Sequence, residues 1–280
     1  MKLVLTILLA LAFSGAAGAQ TLSPDQIKAI IASPDRTAAD RTNDQRRHPE
    51  DILAFLALKP GLTALDLSAG GGYTTELLAR ALGPTGKVYG QSRPRPATPP
   101  PAPTNPEGNA NPSATPAAAP PPPAAPPRPS PVALADRDSR MKAANVASAP
   151  IVVVVQPFED PVPAEVADGK LDLVTLMFNY HDLGFLNVDR AAMNKAVFKA
   201  LKPGGTYVIA DHSGRPGTGI SESGTLHRIE EAFLRKEVEA AGFKLAGEGN
   251  FLRNPNDPRD KNTPDPPMPK DEFFLKFVKP

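Results

Sequence analysis

The chain has 280 residues and no cysteine. No disulfide can staple it, and no lipid can be attached through a thiol. Tryptophan is absent and aromatic residues make up only 6% of the sequence. The phenylalanines near the C-terminus alternate at strand spacing, which points to sheet packing and not to base stacking. Neither sign of charge dominates: the formal net charge is +1, with acids and bases interleaved. No basic stripe marks a nucleic-acid surface. The apolar run at residues 3–13 is shorter than the about 20 residues needed to span a bilayer. No H-E-x-x-H or similar close-spaced ligand motif occurs, so no metal is expected.

That short apolar run is informative all the same. Lys2 precedes it and Ala17-Gly18-Ala19 follows it, the layout of a secretory signal peptide cleaved before Gln20. The mature chain is expected to be periplasmic or secreted, with no stable membrane span. Residues 92–131 break the composition. They hold 17 of the 35 prolines and little that is apolar beyond alanine. Such a segment cannot bury a core and is expected to be a disordered, polyproline-like insertion. Loop length costs little, so a tolerated surface insertion is the simpler reading. Its "PPPPAAPPRP" also resembles ligands of proline-reading grooves, a weak site for a partner. The chain therefore divides into a leader (1–19), the first part of one domain (20–91), the insertion (92–131) and the remainder of that domain (132–280).

Outside the insertion, strand and helix patterns alternate. Two lead-in helices are expected at 24–32 and 49–58, then a strand at 63–67, a helix at 72–82 and a strand at 86–91. A short helix at 137–146 and β-branched or apolar strands at 151–156 and 171–178 follow. A helix at 189–201 stops at "KPGG", a strand fills 206–211, and an amphipathic helix runs over 226–241. Two more strands close the chain. Alternation of this kind predicts an α/β domain, with helices on both faces of a mostly parallel sheet. Ligands on such sheets sit beyond the carboxyl ends of the strands, so the residues just after each strand are the candidates.

The first strand ends in Asp66, and Gly70, Gly71 and Gly72 follow before a helix. A strand-to-helix turn collects backbone N–H groups and the positive end of a helix dipole, and glycines allow close approach. An acid at the strand end repels a pyrophosphate and suits a ligand with a cationic amino group. The spacing is also not the G-x-G-x-x-G of dinucleotide binding.

"LDLSAGGGYTTELLARALGPTGKVYG" resembles the first motif of class I S-adenosylmethionine-dependent methyltransferases, an acid followed by G-x-G-x-G. "LKPGG" before "TYVIAD" is similar to a late motif of that superfamily. More narrowly, "FNYHD", "DHS", "GTG", "TLHRIEE" and "FFLKFVKP" resemble a group of bacterial proteins of this type that carry signal peptides. The likeness runs over about residues 49–280, the insertion excepted. It implies a Rossmann-like, seven-stranded, mostly parallel sheet with the last two strands antiparallel. It also implies S-adenosyl-L-methionine as cofactor, held by Asp66, Ser68, Ala69, Gly70, Gly71, Gly72 and Tyr73, with Gln91 near the ribose. Two departures stand out: Ser68 replaces the first glycine, and Gln91 replaces the acid that grips both ribose hydroxyls.

"NYHD", residues 179–182, follows the fourth strand. His181 is the expected general base, with Asp182, His212 or Asn179 orienting it or the nucleophile. Tyr180, Asp211, His227 and Arg228 are weaker candidates on the small-molecule acceptor side. Three of the four histidines thus fall on one sheet edge. Two other classes stay open: an exported hydrolase or metal-dependent enzyme built on the histidine cluster, and a non-catalytic binding protein.

Overall fold

The computed structural model of the protein describes residues 20–95, 128–264 and 266–280. The expected leader and residues 96–127 of the proline-rich insertion lie outside the described residues. Helices α1 (Pro24–Ala32), α2 (Ala38–Arg47) and α3 (Pro49–Leu56) precede β1 (Thr63–Leu67) and α4 (Tyr73–Leu82). Then come β2 (Lys87–Ser92), α5 (Ser130–Ala143), β3 (Ile151–Val155), β4 (Leu171–Met177), α6 (Asp182–Phe185) and α7 (Arg190–Ala200). The chain closes with β5 (Leu201–His212), α8 (Glu231–Ala240), β6 (Lys244–Gly249) and β7 (Glu272–Val278).

The strands form one sheet in the order β3-β2-β1-β4-β5-β7-β6. β1 to β5 pair in parallel, while β7 runs antiparallel to both β5 and β6. The expected α/β architecture holds, including the antiparallel end. The chain winds outward from β1 to β3 and then crosses to β4. The crevice for a ligand therefore lies beyond the carboxyl ends of β1 and β4, where the strand order reverses.

Alternate residues along each strand point to opposite faces. Leu65, Leu67, Val174, Leu176, Tyr207 and Ile209 pack with Met193, Val197, Leu234 and Val238 of α7 and α8. Ala64, Val88, Leu173, Val208 and Phe274 pack on the other face with Leu53, Leu77, Leu78 and Leu134 of α3, α4 and α5. With both faces covered, the strands read as near-continuous apolar runs. Truncating a fully buried side chain such as Phe274 to alanine costs about 3–5 kcal/mol.

Three differences from the expected elements have clear causes. α2, "AADRTNDQRR", lacks an apolar stripe and was not expected as a helix. It is capped by Thr37, whose side chain accepts from the Asp40 N–H, and it is tied down by ion pairs from Arg36 to Asp44 and from Arg137 to Asp40, both 2.7 Å. α8 begins at Glu231 and not at residue 226. Arg228 is drawn into the core, and Ile229 bridges Ser213 beside the end of β5. α5 begins at Ser130, ahead of the expected 137. It rests where Gly90 and Gly72 leave room: a Cβ on Gly90 would lie 2.8 Å from Leu134, and one on Gly72 would lie 2.7 Å from Arg137.

Candidate functional site

A cavity of about 340 Å³ opens beyond β1 and β4, where the topology places a ligand. Asp66 to Gly71, Tyr73 and Thr74 supply one wall, and Met177, Phe178 and Asn179 another. Asn43 and Arg47 of α2 and Arg137 of α5 close it.

Asp66 is buried, and its carboxylate accepts hydrogen bonds from the hydroxyls of Thr75 at 2.6 Å and Thr175 at 2.7 Å. Burial nonetheless pushes its carboxyl up to about 6. Ser68 has φ +54°, and its hydroxyl donates to Asn179 Oδ1 at 2.5 Å. A glycine would take this conformation without strain but would forfeit that bond. Asn179 in turn donates to Asp182 Oδ2 at 2.6 Å. A hydrogen-bonded chain thus runs from the glycine turn to the histidine edge.

Arg47 is a charged group in this cavity that is not among the expected site residues. Its guanidinium lies 4.3 Å from the centre of the Phe178 ring and 5.9 Å from that of Tyr73. Burial first, and then the neighbouring Arg46, bring it down to about 10. Among the described residues, no hydrogen-bond acceptor meets it.

The second assembly surrounds the carboxyl ends of β4 and β5. His181 is buried. Its Nδ1 lies 2.6 Å from Asp211 Oδ1 and its Nε2 lies 3.2 Å from Asp182 Oδ1. Asp211 is fully buried, and its other oxygen accepts the backbone N–H of His181 at 2.7 Å. His227, half-buried, places Nδ1 3.2 Å from the same Asp182 Oδ1. Burial opposes a charge on the His181 ring, yet Asp211 and Asp182 outweigh it and push His181 up to about 10. Burial would raise Asp182, but His181 and His227 hold it well below the usual carboxylate range. Asp211 is likewise held down, against its burial, by His181. In this arrangement His181 is an imidazolium between two carboxylates. It has no free lone pair near neutral pH, which argues against the general-base role expected of it.

A larger cleft, about 660 Å³, adjoins on the far side of α2. His212, Glu272, Lys270, Arg46 and Arg253 line it together with Phe251 and Met268. Burial and the charge of Lys270 drive His212 well below its ordinary value, and burial pushes Glu272 up to about 7. His212 Nδ1 lies 2.9 Å from Glu272 Oε1 without the alignment of a hydrogen bond.

The structure thus brings Asp66, Ser68, Ala69, Gly70, Gly71, Tyr73 and Asn179 together at one cavity, and His181, Asp182, Asp211 and His227 at one cluster. His212 faces the neighbouring cleft. Four expected residues serve other purposes. Gln91 is fully buried; its amide accepts the Ser68 N–H at 3.0 Å and donates to the Gln156 carbonyl at 2.7 Å, so it holds the turn and does not line the cavity. Gly72 makes room for Arg137 and Leu134. Tyr180 is fully buried, with its hydroxyl between Glu237 and Asn194 at 3.0 and 2.9 Å. Arg228 is fully buried on Asp257, 2.8 Å away.

No family model and no curated protein sequence matches the chain. Solved structures do. A SAM-dependent methyltransferase from Aquifex aeolicus is 16% identical, with 92% of this chain and all of that one covered and a TM-score of 0.52. A chain from the complex of Haloferax volcanii Trm112, a methyltransferase activator, with its partner is 17% identical over 92% of this chain and 97% of that one, also at 0.52. The chain has the Rossmann-like fold of these methyltransferases. The 4+2 cyclase SpnF shares it as well, at 14% identity and a TM-score of 0.51, with 84% of this chain and 82% of that one covered. The fold therefore leaves the reaction to be argued from the site.

Proposed function

We propose that the protein binds S-adenosyl-L-methionine in the cavity beside the glycine turn and transfers its methyl group to a small acceptor at the histidine edge. The observation that carries this reading is Arg47, a guanidinium without a hydrogen-bond acceptor among the described residues, set in the same cavity as Asp66. A cation and an anion at two points of one 340 Å³ space suit the carboxylate and amino group of a zwitterion. The residues fit the amino-acid end of the cofactor. Arg47 would take the carboxylate as a charge-assisted pair, and Asp66, Ser68 and Ala69 would meet the amino group. Gly70 and Gly71 leave the cavity open, since a Cβ on Gly71 would meet nothing within 4 Å. Gln91 would not grip the ribose, because its amide is occupied by the backbone.

When bound, the cofactor supplies a methyl group already activated for transfer. The protein has only to align a nucleophile and remove its proton. Asp182, ionised and hydrogen-bonded to His227, is placed to accept that proton through the imidazole. The leader-like residues 1–19 support export, and N-terminal sequencing of protein recovered from the periplasm should then begin at Gln20.

The test is calorimetric titration of S-adenosylmethionine and of its demethylated product into the full chain. Saturable micromolar binding, lost in both Asp66→Ala and Arg47→Ala, supports the reading. Absence of binding to a folded protein sinks it.

A further inference from the structure

We propose that His181 Nε2, Asp182 Oδ1 and His227 Nδ1 form a binding site for a divalent transition metal, with Asp211 orienting His181. The three ligand atoms lie within 4.8 Å of one another. Each histidine nitrogen is 3.2 Å from the shared carboxylate oxygen. Bonds of about 2.0–2.2 Å to a four- to six-coordinate ion place neighbouring ligands about 2.8–3.6 Å apart. The two observed separations match edges of such a coordination polyhedron.

The same separations are at the long end for a purely hydrogen-bonded ion cluster. A charge-assisted N–H to carboxylate bond is normally about 2.7–2.9 Å. The His181–Asp211 contact, at 2.6 Å, is at least that short. Both contacts to Asp182 Oδ1 are longer, and two nitrogens crowd one oxygen. Each of the first two ligands also has the outer support found around bound metals. The Asp211 carboxylate receives the Nδ1 proton of His181, which fixes the tautomer that leaves Nε2 to a metal. Asn179 donates to Asp182 Oδ2 at 2.6 Å and leaves Oδ1 to face the histidines.

Two imidazoles and one carboxylate, without thiolates, suit Zn²⁺, Fe²⁺ or Co²⁺ better than the all-oxygen preference of Mg²⁺ or Ca²⁺. Metal binding displaces the Nε2 proton of His181 to solvent and moves the His227 proton to Nε2. The carboxylates of Asp182 and Asp211 are then balanced by two positive charges in place of one. His227 lies 45 residues along the chain from Asp182, which is why no close-spaced motif announced the set. Asp182 and His227 are both half-buried, with side-chain exposures of 27% and 28%, so further positions on the ion stay accessible. Their use by an oxygen-bearing methyl acceptor rests on the methyl-transfer reading; the site itself does not.

The experiment uses the untagged full chain, stripped with chelator. Zn²⁺ is titrated by calorimetry and Co²⁺ by visible absorption, which reports nitrogen and oxygen coordination. One equivalent should bind. Affinity should be lost in Asp182→Asn and His227→Ala and should fall roughly 10- to 100-fold in Asp211→Asn, with His48→Ala unchanged. His227 and Asp182 are half-exposed, so their variants should stay folded, which circular dichroism checks. No saturable binding to the wild type, or full affinity in His227→Ala, overturns the proposal. No S-adenosylmethionine is present in this assay, so its failure leaves the cofactor reading to its own test.

Discussion

The glycine turn and the histidine edge lie side by side on one sheet and use polar groups in opposite ways. At the turn, Gln91, Thr75 and Thr175 satisfy the backbone and Asp66 through neutral donors and acceptors. At the edge, His181, Asp182 and Asp211 satisfy one another as charges. Neutral partners leave a buried acid free to be neutral or charged. Charged partners lock each other, because removing one strands the rest in a medium that solvates them poorly. The first arrangement can accept a charged ligand. The second is closed unless an ion enters it.

The sharpest test of this contrast is stability. Asp211→Asn should cost about 3–5 kcal/mol, as expected when one member of a buried charged cluster is removed. Asp66→Asn replaces an acceptor bonded to two hydroxyls and should cost about 1 kcal/mol. Urea unfolding of the two variants measures both. Equal costs would show that the two ends of the sheet do not differ in this way.

Ligand binding should reverse the ranking. Arg47→Leu removes a cation with no hydrogen-bonded partner among the described residues, so stability should stay within about 1 kcal/mol of wild type. Its affinity for S-adenosylmethionine should fall roughly 10- to 150-fold, the worth of one charge-assisted hydrogen bond. A variant that unfolds without losing affinity would make Arg47 a packing residue.

Dependence on pH separates the regions again. On folding, Asp66 rises from 3.8 to about 6 and His181 from 6.5 to about 10. Each group holds its proton more tightly when folded. Its contribution to stability is therefore complete below the unfolded value and is lost as pH climbs through the folded one. The loss at the turn falls between pH 3.8 and about 6, and the loss at the edge between 6.5 and about 10. The difference in thermal midpoint between wild type and Asp66→Asn should change in the lower window and stay flat in the upper, whereas that for His181→Gln should change in the upper window and also at acid pH, where His181 no longer holds Asp182 and Asp211 down. A change for Asp66→Asn in the upper window would show that the Ser68–Asn179–Asp182 chain couples the two.

The residues that could be read in the sequence are those whose role is local. Asp66 and the glycines announce themselves because a strand, a turn and a helix follow within a few positions. The histidines could be placed on one edge because strand ends in a parallel sheet share that edge. What stayed hidden depends on distant partners. Arg47 lies on a helix with no apolar stripe, and its burial comes from Phe178 and Tyr73. Gln91 was expected at the ribose because its position was visible, while the Gln156 carbonyl that occupies it was not. Arg228 was assigned to the first turn of a helix that begins only at Glu231, while its side chain is held by Asp257. Gly72 was assigned to a ligand, but the room it leaves is filled by Arg137, which follows the insertion in the chain.

That last contact frames the smallest expected effect. Arg137 donates to the Gly71 carbonyl at 2.5 Å and pairs with Glu76 and Asp40 at 2.5 and 2.7 Å. The insertion is therefore anchored at its far end by α5, whatever its own length. Replacing the 32 residues 96–127 with about twelve of glycine and serine shortens the loop that must close. Loop-closure entropy alone then predicts a gain of roughly 1 kcal/mol or less. Titrations with S-adenosylmethionine and with Zn²⁺ should be unchanged, since no residue of either site lies in that segment. A loss of several kcal/mol would mean that the segment packs on the domain. A loss of cofactor affinity with stability intact would instead make it part of the glycine-turn site, and the two regions would then differ in reach as well as in charge.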